Sequence, residues 1–405
     1  MNTTVLDSPT KTEMLLPLGD GGDGNMPEIS IVIPALNELL TVGMFIDWCK
    51  EGLENAGVHG EILIVDSSKD DTWKIALDHG ARVLRTPKKG LGQAYIDAIP
   101  YIRGTFIIMG DCDLTYDFRE LQPFVYAYRQ GFEYVMGSRF RGSIEDGAMP
   151  ALHRYFGTPL TTWILNRIYG SIFTDIHCGM RGITKDALVR INLTSTGWEY
   201  ASEMVLKASR LGLRIFEVPV HFLKDRQGRV SHHLRSGFWS PWLAGWDNLK
   251  IMLIYSPDTF LIKPGVFLVL VGILVTLMSI PGTVKLGALG FNVHMLMLGV
   301  AEIIFGYSLF QVGIIARRLH GLKVGIERAV TRFFSYDRGM VLSGLLLGLG
   351  LLCTCSFLWR YFVKNFQTGG ISHTAIVGLL FIILSVQTFS FTLITELQSR
   401  ITKRK

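Results

Sequence analysis

Cysteine is scarce in this chain of 405 residues, and its five copies (Cys49, Cys112, Cys178, Cys353 and Cys355) fall at no spacing that would hold a metal or form a redox pair. A disulfide-stapled secreted domain is thereby excluded, and a reducing compartment fits. A secretory signal is also missing. Residues 1–27 are polar and contain no apolar central run, so the sequence predicts a disordered lead-in there, around "GDGGDGN". Charged residues make up only 18% of the chain, with a net charge of +6. That excess suits an anionic membrane surface better than nucleic acid, and no nucleic-acid partner is expected.

Long uncharged stretches, by contrast, crowd the C-terminal third, at residues 260–280, 291–316, 340–362 and 375–395. Each is near the ~20 residues that span a bilayer. They predict a membrane domain of four helices over 259–405. The connection "ARRLHGLKVGIERAVTRFFSYDR" and the ending "SRITKRK" are the basic ones, so both belong on the cytoplasmic side. Four crossings then place both termini and the N-terminal portion there too, in a multi-pass plasma membrane protein. Glu302 falls inside the second span, where an ionisable group calls for a buried partner rather than a catalytic role. Between the two portions, residues 226–258 predict juxtamembrane amphipathic helices. Trp239, Trp242 and Trp246 recur there at helical spacing, downstream of the basic run "KDRQGRVSHHLR".

From residue 28 to about 225 the pattern changes to short apolar runs alternating with helical periods. "ISIVIPA", "EILIVDS", "ARVLRT" and "FIIMGD" read as strands buried on both faces, with helical segments between them. An α/β fold with a mostly parallel sheet follows. Ligands of such sheets sit at the carboxyl ends of the strands. "PALNE", "DSSKDD" and "GDCD" all lie there. Asp111 and Asp113 are two apart, so on an extended chain they share a face, where a hard cation such as Mg²⁺ or Mn²⁺ would join them and bridge to phosphate. In "TPKKGLGQAYIDAI", Lys88 and Lys89 precede Gly90 and Gly92 at a predicted helix start, whose free N–H groups favour an anion.

The stretches "ISIVIPALNE", "EILIVDSSKDDT", "KKGLGQA", "GDCDL", "MGSRF", "TDIHCGMRGITKDAL" and "YASEMVLKASRLGLRIFEVPVHF", in this order, resemble the family 2 glycosyltransferases of GT-A fold. Their combination is similar to the polyprenyl-phosphate branch, which includes dolichyl-phosphate mannose synthases and undecaprenyl-phosphate glucosyl transferases. The resemblance covers residues 28–223. It implies a UDP- or GDP-linked sugar as donor and a polyprenyl phosphate as acceptor, with inversion at the anomeric carbon and a product used in glycan or cell-wall biosynthesis. Pro34, Asn37, Glu38, Asp66, Lys89, Gly92 and Asp111 would line the nucleotide-sugar site, with Asp175 and Arg181 near the donor sugar. Asp111 and Asp113 would hold Mg²⁺ or Mn²⁺. Arg139, Arg154 and Thr158 would hold the acceptor phosphate. The chain departs from the family pattern at Ser67, Thr115 and His177.

A phosphate acceptor explains why no general base stands out, since a phosphate monoester is ionised near neutral pH, with a second pKa of about 6. Arginine suits such an acceptor because its fork grips phosphate at two points. A processive polysaccharide synthase is the rival. It would need a base for a hydroxyl acceptor, for which Glu203 is the candidate, but the Q-x-x-R-W motif of those enzymes does not occur. A membrane protein that only binds a nucleotide sugar is a further alternative, and a second copy of the chain is a candidate partner.

Overall fold

The computed structural model describes residues 9–17, 26–226, 250, 253–281, 284–286, 289–319, 326–363 and 372–402. It divides into two compact units, residues 1–252 and 253–405. Trp239, Trp242, Trp246 and most of the expected juxtamembrane helices lie outside the described residues.

The first unit is built on an eight-stranded sheet. The sequence-predicted strands are β2 (Ile29–Ala35), β3 (Gly60–Asp66), β4 (Arg82–Arg85) and β5 (Phe106–Met109). They run parallel in the order β4-β3-β2-β5. Both faces of these strands are covered, which is why their residues are almost continuously apolar. On one flank, β1 (Glu13–Leu15) pairs antiparallel with β4. Met14 and Leu15 are partly buried there, so part of the segment expected to be disordered is an edge strand.

On the other flank lie β7 (Arg181–Thr184), β6 (Tyr134–Ile144) and β8 (Ile215–Phe222). Of these only β7 opposes the parallel set. Helix α1 (Val42–Asn55) shows how the covering helices arise: Val42, Phe45, Ile46, Cys49 and Leu53 recur at intervals of three and four and are all buried. Among the described residues the other α-helices of this unit are α2 (Thr72–Asp78), α3 (Leu91–Ala98), α4 (Gln122–Arg129), α5 (Thr158–Tyr169), α6 (Lys185–Ile191) and α7 (Tyr200–Arg210).

Among the described residues the second unit has four helices long and apolar enough to cross a membrane: Asp258–Ser279, Val293–Leu319, Tyr336–Val363 and His373–Ile401. The first pair meets through glycines spaced by seven. A Cβ at Gly265 would strike the Gly306 carbonyl, and one at Gly272 would strike that of Gly299. The second pair meets in the same way at Gly350 and Gly378. Between two spans in lipid there is no water to expel, so close backbone approach has to supply the attraction. Polar side chains join the second and fourth helices, with Tyr307 OH 2.8 Å from Thr388 Oγ1 and Gln387 donating to Ser308 Oγ at 2.8 Å.

Candidate functional site

The carboxyl ends of β2, β3 and β5 open on one edge of the sheet, and the loops leaving them carry the polar residues. After β2, which holds Pro34, the chain turns through Asn37 at φ 56°. This left-handed turn lets the Asn37 N–H donate to Ser68 Oγ at 2.7 Å, while its Oδ1 accepts from the Lys69 N–H at 3.0 Å. Glu38 is buried and accepts from Thr41 Oγ1 at 3.1 Å. Asp66 ends β3 fully buried. Burial outweighs Ser68 and Arg85 and raises its carboxyl above the usual range. Its Oδ2 lies 3.3 Å from Arg85 Nε, but both atoms lack a hydrogen bond because the N–H is not aimed at the oxygen.

Strand β5 stops at Met109, so Asp111 and Asp113 stand on a turn beyond it, not on extended chain as alternation requires. What orients them is the turn itself. Leu114 takes φ 62°, and Asp113 Oδ1 accepts from both the Thr115 N–H at 3.0 Å and Thr115 Oγ1 at 2.5 Å. Thr115 is therefore committed to Asp113. Asp117 is likewise committed, to Arg119, through bonds of 2.8 and 2.6 Å that hold its carboxyl below the usual range despite partial burial.

Asp111 lies against Gly179, where an added Cβ would collide with Asp111 Oδ2 and approach Tyr116. Tyr116 OH accepts from the Gly179 N–H at 2.8 Å, which holds that backbone beneath the carboxylate. Among the described residues no group of three or more His, Cys, Asp or Glu is gathered as a metal site. Two hard carboxylates fit a Mg²⁺ or Mn²⁺ that takes its other oxygens from a diphosphate and water.

Asp175 and Arg139, expected on opposite sides of the reaction, form one buried ion pair. Nε and Nη2 of Arg139 donate to Asp175 at 2.6 and 2.9 Å, and the Arg139 N–H adds a third bond at 3.2 Å. Glu217 of β8 fixes the same loop by accepting from the N–H groups of Thr174 and Asp175 at 2.8 and 3.2 Å. Tyr116 lies outside the quoted motifs, and Glu217, though inside one, was not singled out, because the partners of both lie dozens of positions away. His177 sits 2.9 Å, through Nε2, from Thr161 Oγ1 on α5. Burial pushes its imidazole down to about 4, so it is neutral at physiological pH.

Arg181 is fully buried and donates to the carbonyls of Cys178 at 2.5 Å and Ala201 at 3.0 Å, so its guanidinium braces the backbone. Arg154 lies on a π turn (His153–Gly157) at the entry to α5, half-buried, with Thr158 buried just beyond it.

Two of the N–H groups expected to be free at the glycine-rich start of α3 are taken by the chain itself. The Gly92 N–H donates to the Gly197 carbonyl at 3.2 Å, and the Gln93 N–H to that of Thr196 at 3.0 Å. Side chains at positions 90 and 92 would strike the carbonyls of Thr196 and Ser195. Glycine here serves backbone against backbone. Lys88 and Lys89 stay exposed beside it.

The loop that closes on α3 is fixed by Glu203. Its buried carboxylate accepts from the N–H of Thr194 at 3.1 Å and of Ser195 at 2.8 Å, and pairs with Lys207 at 2.5 Å. Burial alone would raise its carboxyl; these donors outweigh it and bring the pKa down to about 2.

Comparison with known proteins gives a consistent set of relatives. The profile described as "Glycosyl transferase family 2" matches residues 30–191, and that described as "Glycosyltransferase family 2 C-terminal transmembrane region" matches residues 315–398. The chain is 33% identical over 366 residues to "Low-salt glycan biosynthesis hexosyltransferase Agl6" of Haloferax volcanii, across 89% of this chain and 86% of that one. It is 28% identical over 207 residues to a dolichyl-phosphate hexose transferase of the same organism, across 50% of this chain and 86% of that one.

Among solved structures it is similar to mannosyl-3-phosphoglycerate synthase from Rubrobacter xylanophilus, with TM-score 0.44 and 24% identity over 56% of this chain and 74% of that one. It is also similar to glucosyl-3-phosphoglycerate synthase from Mycobacterium tuberculosis in complex with Mn²⁺, UDP and glucosyl-3-phosphoglycerate, with TM-score 0.43 and 20% identity over 57% of this chain and 80% of that one.

Proposed function

This chain belongs to glycosyl transferase family 2, and on that premise we propose that it transfers a hexosyl group from a UDP- or GDP-linked sugar to a membrane polyprenyl phosphate, undecaprenyl or dolichyl, with inversion. The observation that favours a phosphate over a hydroxyl acceptor is Glu203. The base that a hydroxyl acceptor needs must have its carboxylate turned to the acceptor, whereas that of Glu203 is buried and engaged by the Thr194 and Ser195 N–H groups and by Lys207. A phosphate monoester arrives already ionised.

In this reading an acceptor phosphate oxygen attacks C1 of the sugar. The C1–O bond to the diphosphate breaks, and the nucleoside diphosphate leaves with the electron pair. Arg154 at the entry to α5 meets the incoming phosphate. Arg139 holds Asp175 in register, with Arg181 bracing the loop, and so acts as a positioning residue. Asp175 and His177 face the donor sugar. Asp66, whose Oδ2 lacks a hydrogen bond, and Asn37 line the nucleoside site in this reading. Asp111 and Asp113 would hold Mg²⁺ or Mn²⁺, which would supply positive charge against the departing diphosphate. The basic connections of the membrane domain orient the protein with this unit in the cytoplasm.

Asp113→Asn tests the assignment. With a panel of nucleotide sugars, polyprenyl phosphate and added Mg²⁺ or Mn²⁺, transfer read by mass spectrometry of the glycolipid should fall by at least about 100-fold. Near-normal transfer would remove the two carboxylates from the mechanism. Formation of polymer without any polyprenyl-phosphate sugar would instead favour the processive synthase.

A further inference from the structure

Thr161 of α5 determines which nitrogen of His177 carries the proton. A hydroxyl has one proton to give, and a carbonyl oxygen can only accept. The Thr161 hydroxyl lies 2.8 Å from the Gly157 carbonyl and 3.1 Å from that of Thr158, so its proton is spent on the helix. Toward His177 Nε2, at 2.9 Å, Thr161 Oγ1 is therefore the acceptor, and Nε2 carries the hydrogen. Burial keeps the imidazole neutral against the pull of Asp175, with Arg139, Arg181 and His153 acting in the same sense as burial. A neutral ring protonated at Nε2 has a bare lone pair on Nδ1.

That lone pair is held in place and left unused. The His177 N–H donates to Asp175 Oδ1 at 3.2 Å, and Asp175 is itself gripped by Arg139. With its backbone fixed there and Nε2 fixed on α5, the ring has one orientation. Nδ1 makes no hydrogen bond among the described residues and is not enclosed, since the ring is partly exposed.

We propose that Nδ1 of His177 accepts a hydrogen bond from one hydroxyl of the donor hexose, which makes His177 a specificity-determining residue of the sugar site. The inference deepens the glycosyl-transfer reading and rests on it. Two residues on, Gly179 lies against Asp111, the carboxylate assigned to the diphosphate, and two residues of chain reach at most about 7 Å. The hexose hangs from the end of that diphosphate. A sugar ring offers hydroxyl donors, whereas an ionised phosphate has only acceptor oxygens and would meet the lone pair with repulsion. The chain departs from the family pattern at this position, so the contact belongs to this chain and not to the fold at large.

The test measures binding, not turnover. The full chain in detergent with Mn²⁺ is titrated calorimetrically with UDP, GDP and a panel of UDP- and GDP-linked hexoses, then with the deoxy analogues of the sugar that binds best. His177→Gln keeps a donor that reaches Thr161 and removes the acceptor at the δ position. His177→Asn keeps an acceptor at the δ position and gives up Thr161. In His177→Gln, affinity for the nucleotide sugar should fall by about 5- to 150-fold, while that for the bare nucleoside diphosphate is unchanged. His177→Asn should recover part of the loss. One deoxy analogue should bind the parent more weakly by a similar factor, and should bind His177→Gln as well as the full sugar does. The reverse order, with His177→Gln like the parent and His177→Asn impaired, would overturn the proposal and leave His177 as a strut between α5 and the donor loop. Equal losses for nucleotide sugar and nucleoside diphosphate would overturn it too. A parent that binds no nucleotide sugar of the panel would overturn the glycosyl-transfer reading along with it, an outcome distinct from sugar binding that both variants leave intact, which would sink this inference alone.

Discussion

At the start of α3, Gly90 and Gly92 let the backbone close against residues 195–197, and the Gly92 and Gln93 N–H groups donate to carbonyls there. At the start of α5 a π turn carries Arg154, and Leu152, Tyr155 and Phe156 face outward. Both helices begin at the edge where the parallel strands end, yet one start is sealed by the protein and the other is open. The lesson concerns charge. On the sealed side charged groups hold backbone, as Glu203 does for Thr194 and Ser195. At the open side Arg154 is half-buried on a turn that faces outward.

The largest effect expected from breaking this division is at the ion pair beside α5. Arg139→Ala would leave Asp175 buried without its partner and should cost about 3–5 kcal/mol, seen as a lower Tm of the full chain in detergent. A Tm within error of the parent would mean that the pair is not part of the scaffold.

Next comes the seal. The Glu203 carboxyl is lowered to about 2 in the fold against an ordinary 4.5, so its contribution is complete above the ordinary value and fades as pH falls toward the folded one. Glu203→Gln should therefore destabilise by on the order of 2–3 kcal/mol at neutral pH, with the difference from the parent shrinking between about pH 4.5 and 2. The variant should keep appreciable transfer. Full loss of transfer with the fold intact would restore Glu203 as a base.

The smallest effect is at the open side. Arg154→Ala should spare donor binding and lower acceptor efficiency by about 10- to 150-fold, the equivalent of roughly 1.5–3 kcal/mol for a charge-assisted bond. Arg154→Lys should rescue part of it, because charge is kept and the fork is lost. Equal loss for donor and acceptor would place Arg154 with the scaffold instead.

Much of this was legible in the sequence. The runs "ISIVIPA", "EILIVDS" and "FIIMGD" are apolar because both faces are covered, and that continuity identified β2, β3 and β5 together with the edge at which the acids gather. Strand β8 was harder to read because its buried and exposed residues are interleaved. The glycine motif is ambiguous for a physical reason: glycine permits close approach without naming what approaches, and at Gly90 and Gly92 one neighbour is the backbone of residues 195–197. Arg139 and Asp175 carried recognisable motifs, but their mutual pairing across 36 positions could not be read from either. The outward position of Leu152, Tyr155 and Phe156 was visible in "LHRYFGTPLTTW" only once the fold showed which side faces in.

The glycines at 265, 272, 299 and 306 have a bearing on how the protein is made. Each pair of spans closes through its own backbone contacts, first with second and third with fourth. An antiparallel pair of this kind is a finished hairpin as soon as its second helix leaves the ribosome. The glycine contact of the first hairpin is thus complete within itself, whereas Ile262 and Ile314 still pack with Phe391 of the last helix. Its binding groove is set by the absence of side chains, so lipid tails compete with it only by fit and not by greasiness. Biogenesis can then proceed in two insertion events, after which the polar bonds from Tyr307 and Ser308 to the last helix join two preformed halves.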